Sequence, residues 1–327
     1  MSYPGGAISK ISHMSRTGTK SVESLPNAEP RVAPNAAFAV ASFTRGYSLE
    51  ATPSDTITLL NDAGCKRIYV RTAGDNTSKA VINCAVKLHE MGFEAVPHLV
   101  TSMHRSVKDR RQFLHELTTR APIGCVLVTA GDPSERAASD IRGAAELIES
   151  GLLLQYGIRE IGITGFPEGH PYLCEADLHE SMYRKLSAAQ NVGIAAHIVT
   201  QFCFEPAKLI SWLRRIRQAG IDNLVRVGLP GPTPLSALQR YARRCAIDVS
   251  PFFMAHSSGL MRSPFKMVTP DAMMRAVTEG SVRHKLGELK AHFYSFGRLD
   301  ATGRWASAVS RMQISMDQEG FHANAVD

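Results

Sequence analysis

Short apolar runs alternate with longer amphipathic stretches along most of this chain, and the pattern repeats eight times. Strands that alternate with helices form parallel sheets with right-handed crossovers. Eight repeats with no central switch therefore predict one domain, a closed (β/α)8 (TIM) barrel over residues 36–310. The predicted strands are YSLEA (47–51), RIYVRT (67–72), EAVPHLV (94–100), GCVLVTA (124–130), EIGITGF (160–166), AHIVTQF (196–202), LVRVGL (224–229) and AHFYSF (291–296).

An open, doubly wound sheet is the main alternative to a barrel. That fold usually carries a GxGxxG turn after its first strand. No such turn follows residues 47–51, which weakens the alternative.

Three of the stretches between strands have clear helical patterns. SKAVINCAVKLHEMG (78–92) places Val81, Cys84, Leu88 and Met91 on one face, as a helix packed against a sheet requires. EPAKLISWLRRIRQAG (205–220) does the same with Leu209, Trp212, Leu213 and Ile216, and Gly220 predicts its end. The stretch 269–289 predicts a helix capped by Thr269 or Asp271.

The two ends of the chain differ from its body. Residues 1–35 are rich in Ser, Gly, Pro and Thr and have no apolar period, which predicts a flexible leader. The leader lacks the apolar segment of a secretory signal, and its basic start leaves a transit peptide open. Residues 311–327 are predicted to be a C-terminal tail.

Charge and cysteine content exclude several classes of function. The net charge is +7, but the basic residues are dispersed and no zinc finger or RNA-binding aromatic signature appears, so we expect no nucleic-acid partner. No apolar run has the ~20 residues of a membrane span. The six cysteines form no CxxC pair, so no metal site is indicated, and buried free thiols fit a reducing, cytoplasmic setting.

Polar residues stand at the ends of most predicted strands, where a barrel of this kind carries its chemistry. A ring of polar residues gathered from separate strands is harder to attribute to chance than any single one of these residues. Its members are Glu50, Arg71, Thr72, His98, Asp132, Glu168, His170, Gln201 and Arg298.

Each member also has an ordinary structural explanation. Glu50 is either a surface carboxylate on a frayed strand or a carboxylate at the barrel mouth with a raised pKa, and its position alone does not decide. Asp132 lies in Gly-Asp-Pro, a sequence typical of turns. His98 in VPHLV is typical of a core histidine, whereas Gln201 in a strand needs hydrogen-bond partners once buried.

Taken together, six motifs in order resemble the methylenetetrahydrofolate reductase family over roughly residues 47–305. The resemblance implies a flavin-dependent oxidoreductase of one-carbon metabolism that binds FAD and a folate in a barrel. The motifs are SLEATPS, VPHLV, TAGDP, GFPEGHP, TQFCFEPAKLISWLRRIRQAGID and HFYSFGR.

The resemblance also implies roles for individual residues. Glu50 would be the general acid that protonates the folate, and Asp132 would lie near both flavin and pterin. Gln201 would hold the pterin, and Arg298 would sit at the folate end of the site. The residues implied to bind FAD are Thr72, His98, Asp132, Phe166, His170 and Asp177, with Arg184 and Lys185 at its pyrophosphate.

Some positions depart from the family pattern. Ala130 replaces an arginine, and Phe166 stands where the family has tyrosine, so we expect FAD to bind weakly. In the family, NADH or NADPH stacks on an aromatic residue in the segment after strand seven. The segment 227–238 has no such residue, and Leu235 stands where the ring is expected. We therefore expect these cofactors to reduce the flavin slowly.

Three functions remain open at this point. The first is a reductase of 5,10-methylenetetrahydrofolate, and the second is the same chemistry run towards oxidation of 5-methyltetrahydrofolate. The third is a non-catalytic folate-binding relative with impaired FAD binding. The electron donor and any homo-oligomer are not determined by the sequence.

Overall fold

The computed structural model describes residues 36–55, 64–72, 77–104, 106–131, 140–244, 267–318 and 320–324, with the backbone alone at 140–142 and 244. All of these residues belong to one compact unit, 32–327. The predicted leader and Asp132 lie outside the described residues.

The predicted barrel is confirmed, and its strands lie within two residues of the predicted bounds. The first seven strands are β1 (Ser48–Ala51), β2 (Arg67–Val70), β3 (Glu94–Val100), β4 (Cys125–Thr129), β5 (Glu160–Gly165), β6 (Ala195–Thr200) and β7 (Val225–Pro230). Two short strands, β8 (Thr233–Pro234) and β9 (Met267–Val268), pair antiparallel, and β10 (Leu289–Tyr294) completes the barrel.

The eight long strands are all parallel and close in the order β1-β10-β7-β6-β5-β4-β3-β2. Because β10 pairs with β1, the chain's last barrel strand lies beside its first, with Glu50 opposite Tyr294. The C-terminal strand ends therefore meet at one mouth, where a barrel of this type holds its site.

Helices surround the barrel. In the described residues they are α1 (Ala36–Thr44), α2 (Ser78–Glu90), α3 (Val107–Arg120), α4 (Asp140–Glu149), α5 (Leu152–Gln155), α6 (Glu175–Val192), α7 (Pro206–Gln218), α8 (Leu235–Arg244), α9 (Asp271–His284) and α10 (Leu299–Ser310). None of these helices has the length and hydropathy needed to cross a membrane.

The helix predictions hold with one correction. The predicted apolar face of α7 is buried, and the helix ends just before Gly220, whose φ of 78° only glycine adopts at little cost. The cap of α9 was wrong: Pro270 is the N-cap, and the Thr269 hydroxyl bonds to the Asp271 carboxylate instead. The reason is that proline already fixes the backbone angle needed to start the helix.

The end of the predicted tail forms a β-hairpin. Its strands are β11 (Ile314–Met316) and β12 (Phe321–Ala323), paired antiparallel. Phe321 is buried and stacks on Trp305 of α10 with ring centroids 6.0 Å apart, so this hairpin packs against the barrel.

A network of polar side chains fills the barrel at the N-terminal ends of the strands. Arg67 donates to both Glu160 oxygens at 2.8 Å and also bonds to Glu94. His197 lies 2.8 Å from Glu160 through Nδ1 and 2.6 Å from the Tyr69 hydroxyl through Nε2. This network closes the end of the barrel opposite to the mouth.

Candidate active site

A cavity of about 420 Å³ opens at the C-terminal ends of the strands. Its volume lies in the usual range of small-molecule sites. Five residues that were given a catalytic or binding role from the sequence line it, contributed by β1, β3, the turn after β5 and the segment after β6. They are Glu50, His98, Phe166, His170 and Gln201.

The Glu50 carboxylate lies on the inner face of the barrel mouth and is only 5% exposed. The Arg71 side chain is 3.1 Å away through Nε, and His292 Nε2 is 3.4 Å away. His98 Nε2 is 3.7 Å from the same carboxylate. Glu50 therefore belongs to a buried polar cluster drawn from four strand ends, and it is not a frayed surface residue.

Of the two interpretations that the sequence left open for Glu50, the carboxylate at the barrel mouth is the one that the structure supports, but its pKa is lowered and not raised. Burial by itself raises the pKa of this carboxyl, but the hydrogen bond with His292 and the charges of His98 and Arg71 outweigh burial and lower it. The permanent charge of Arg71 is the contribution that persists when both imidazoles are neutral. Glu50 is therefore ionised at neutral pH.

His98 is a neutral imidazole at the mouth. Burial lowers its pKa to about 4, although the nearby Glu50 opposes the shift. Its Nε2 is buried without a hydrogen-bond partner among the described residues. Because buried polar atoms are rarely left unpaired, this nitrogen is suited to bind a ligand group.

The turn after β5 links two sides of the mouth. Its Glu168 carboxylate accepts hydrogen bonds from the backbone N–H groups of Phe204 and Glu205, at 2.6 and 2.7 Å. These groups precede the N-terminus of α7, where a negative charge is favoured. In the same turn Phe166 and His170 pack edge to face with ring centroids 5.0 Å apart. Glu168 thus fixes the segment that carries Gln201.

We predict that Glu168→Ala lowers the free energy of unfolding by about 1.5–3 kcal/mol, because two backbone donors lose a charged acceptor. Chemical denaturation measures the change. Glu168→Gln keeps an oxygen acceptor and should lose less. The control is Glu175→Ala, which removes an exposed ion pair with Arg215 and should change little. Equal stability of wild type and Glu168→Ala would contradict the assignment.

Gln201 is held at the mouth by its own backbone. Its N–H donates to Gly165 O at 2.8 Å, and its side-chain Oε1 accepts weakly from Phe202 N at 3.3 Å. The amide lines the cavity and is only partly buried. It retains donors and an acceptor for a ligand.

Other residues proposed from the sequence do not line this cavity in the described part of the chain. Thr72 is half-buried, whereas Asp177 and Arg298 are exposed. Arg184 is exposed and lies 3.9 Å from Glu180, while its neighbour Lys185 is buried in the inner face of α6. The pair therefore does not form one cationic surface.

Lys185 is a buried cation with no hydrogen bond or ion pair to the other described residues. Burial lowers the pKa of its amine to about 8. An unpaired buried ammonium is costly unless a ligand or another group compensates its charge.

Three residues at the mouth were not singled out from the sequence, and a fourth, Arg71, was noted at a strand end but was given no role. Arg71 and His292 hold Glu50, while Tyr241 of α8 and Phe296 after β10 line the cavity with aromatic rings. Their signal in the sequence was limited: HFYSFGR was recognised, but its histidine and second phenylalanine were assigned no role.

Tyr241 corrects one expectation. The segment 227–238 has no aromatic residue, but Tyr241 lies just beyond it and reaches the cavity from α8. The mouth therefore has a ring on this side. Slow reduction of the flavin by NADH and NADPH stays a prediction, which a ring on this side of the mouth makes weaker.

Comparison with known proteins identifies relatives of this chain. A family model described as methylenetetrahydrofolate reductase matches residues 52–280. The chain is 29% identical over 167 residues to methylenetetrahydrofolate reductase 2 of Saccharomyces cerevisiae, covering 47% of this chain and 26% of the yeast protein. It is 31% identical over 129 residues to methylenetetrahydrofolate reductase 1 of Schizosaccharomyces pombe, covering 37% and 20%. The chain thus spans about a quarter or less of these relatives.

A solved structure shares the fold. It is an uncharacterized protein from Clostridium thermocellum that binds two copies of 5-methyl-5,6,7,8-tetrahydrofolic acid. The TM-score is 0.51 at 10% identity, with 84% of this chain and 97% of that chain covered. Identity this low establishes similarity of fold alone.

Proposed function

The chain belongs to the methylenetetrahydrofolate reductase family, and we propose that it interconverts 5,10-methylenetetrahydrofolate and 5-methyltetrahydrofolate with a flavin. The observation that carries the proposal is Glu50, an ionised carboxylate buried at the mouth of the barrel and held by Arg71 and His292. A carboxylate there can exchange a proton with a bound substrate.

Folate is the substrate class that the family and the cavity support together. The solved structure of similar fold is of a protein that binds 5-methyltetrahydrofolic acid. In this chain the Gln201 amide offers a donor and an acceptor suited to the pterin. Asp132 and Arg298 complete the proposed folate set.

FAD is the cofactor that the proposal requires. One observation fits it: the Nε2 of His98 at the mouth has no hydrogen-bond partner among the described residues. When bound, flavin takes or returns a hydride. The residues proposed to hold it are Thr72, His98, Asp132, Phe166, His170, Asp177, Arg184 and Lys185.

The ionised state of Glu50 is the state from which the methyl-oxidising direction begins. The methyl group on N5 of the folate loses a hydride, and N10 then adds to the resulting methylene iminium and closes the ring. N10 releases a proton in this step, and Glu50 accepts it. In the opposite direction Glu50 must first gain a proton, which it then donates to N10 as the ring opens.

The test is titration of the purified protein with FAD and then with 5-methyltetrahydrofolate, followed by an assay with an artificial electron acceptor. We expect FAD to bind weakly, because Ala130 replaces an arginine and Phe166 lacks a hydroxyl. We expect turnover to require both ligands. Failure to bind 5-methyltetrahydrofolate, or turnover that is independent of FAD, would contradict the proposal.

A further inference from the structure

A second cavity of about 240 Å³ lies on the outer side of the barrel, between α6 and α7. It is adjacent to the mouth cavity, because Thr164, Phe166 and Gly169 around the end of β5 line both. The two helices supply the rest of its wall. The cavity is therefore separate from the mouth but shares one side with it.

The proposed FAD site does not account for this cavity. Three residues of α6 are proposed to hold FAD, namely Asp177, Arg184 and Lys185, and none of them lines it. The α6 residues in the apolar part of its lining are Leu178 and Met182. A molecule bound between α6 and α7 would thus be a different ligand.

The buried part of the lining is apolar and consists of Met182, Trp212 and Ile216. The six-membered ring of Trp212 packs against the backbone of β5 at Gly165, where a Cβ atom would lie 3.0 Å from the ring. Glycine at this position leaves room for the indole. The indole N–H makes no hydrogen bond to any residue that the structure describes, so it is available to a ligand.

The charged side chains of the lining are Glu168, Glu175, Lys208 and Arg215, and three of them are already engaged. Glu168 accepts hydrogen bonds from two backbone N–H groups before α7, and Glu175 pairs with Arg215 at 2.6 Å. The charge of Lys208 acts on Glu168, but its ammonium forms no ion pair or hydrogen bond within the described part of the chain. Lys208 is therefore the charge that a ligand can bind.

We propose that the cavity between α6 and α7 binds a small organic carboxylate with a compact apolar body. Lys208 and Trp212 are four residues apart on α7, so their side chains lie on the same face of the helix. A carboxylate accepts hydrogen bonds on both oxygens and matches an ammonium beside an N–H donor. The apolar body then contacts Met182 and Ile216. This site is independent of the proposed reaction at the mouth.

The probes are phenylacetate and its uncharged analogue phenylacetamide. Trp212 and Trp305 are the two tryptophans of the chain, and Trp305 stacks on Phe321 of the C-terminal hairpin. The fluorescence of Trp305→Phe therefore reports on Trp212 and on the cavity. We expect a saturable change with phenylacetate, with a dissociation constant of about 1 mM or lower. Phenylacetamide should bind about three- to tenfold more weakly.

Substitutions at the cavity locate the site, and calorimetry measures the affinity of each variant. Lys208→Gln should weaken phenylacetate about three- to tenfold and leave phenylacetamide unchanged, whereas Lys208→Arg should retain both. Because Lys208 is exposed, its replacement should not change the unfolding temperature. Leu178→Trp should fill the cavity and abolish binding of both probes. The control is Lys87→Gln, at an exposed lysine of α2 outside the lining.

Each contrary result overturns a defined part of the proposal. Wild type that shows no binding of phenylacetate by calorimetry overturns the site, and so does binding that Leu178→Trp leaves intact. Equal affinity for the two probes overturns the choice of a carboxylate, as does unchanged phenylacetate binding in Lys208→Gln. If Trp305→Phe unfolds at lower temperature than wild type, calorimetry on the wild type provides the same comparison.

Discussion

Glu50→Gln is expected to lower folate-dependent turnover by a factor of about 10²–10⁴ while folding and FAD content stay nearly unchanged. Glutamine keeps the size and a hydrogen-bonding oxygen of the side chain. It cannot accept a proton from N10 or return one. The effect should therefore appear in turnover and much less in folate affinity.

Steady-state kinetics with an artificial electron acceptor measures this change, and Glu90→Gln, at an exposed glutamate of α2, is the control. The wild-type rate of methyl oxidation should fall when the pH is lowered far enough to protonate Glu50. Because the fold lowers the pKa of Glu50, the carboxylate stays ionised through the ordinary carboxyl range and gains a proton only below it. Methyl oxidation should then be level near neutral pH and decline only in acid. Wild-type turnover in Glu50→Gln would remove Glu50 from the mechanism.

Arg67→Met is expected to lower the free energy of unfolding by about 3 kcal/mol. The substitution leaves the partly buried Glu160 carboxylate without the guanidinium that compensates its charge. The ion pairs with Glu160 and Glu94 are at the end of the barrel opposite to the mouth. Folate affinity should therefore remain nearly unchanged under conditions where the variant is folded.

Chemical denaturation from pH 7 to pH 3 tests this prediction. Hydrogen bonds with His197 and Arg67 lower the pKa of Glu160, although burial opposes them. A lowered pKa contributes stability above the ordinary carboxyl range and loses it as pH falls, so the variant should lose less stability in acid than wild type. Arg215→Met removes the exposed ion pair with Glu175 and should lower the free energy of unfolding by less than about 1 kcal/mol. Equal losses of unfolding free energy in Arg67→Met and Arg215→Met would contradict the account.

The strands and their order could be predicted because alternation of strands and helices is a local property of the sequence. RIYVRT and AHIVTQF are recognisable without any partner. A barrel of this kind carries its chemistry at the C-terminal strand ends. Glu50, His98 and Gln201 were therefore predicted to lie at the mouth from their places in the strands, and all three line the cavity.

The pKa of Glu50 could not be predicted in this way. Its direction depends on His292, His98 and Arg71, which come from the ends of three different strands. Burial alone raises a carboxyl pKa, and only the geometry shows that the neighbours outweigh it.

The inference from the adjacency of Arg184 and Lys185 in the sequence also failed. Arg184 and Lys185 were expected to act together on a diphosphate. Successive residues of a helix point about 100° apart. One side chain therefore faces solvent, and the other is buried.

The most direct test of the account is a single turnover without oxygen. FAD-loaded protein is mixed with 5-methyltetrahydrofolate, and the visible absorbance of the flavin is followed while the folate product is quantified. The account predicts saturable bleaching with one equivalent of 5,10-methylenetetrahydrofolate formed per flavin, and much slower bleaching in Glu50→Gln. Tight binding of the folate with no bleaching would contradict it and would indicate a folate-binding relative without catalysis.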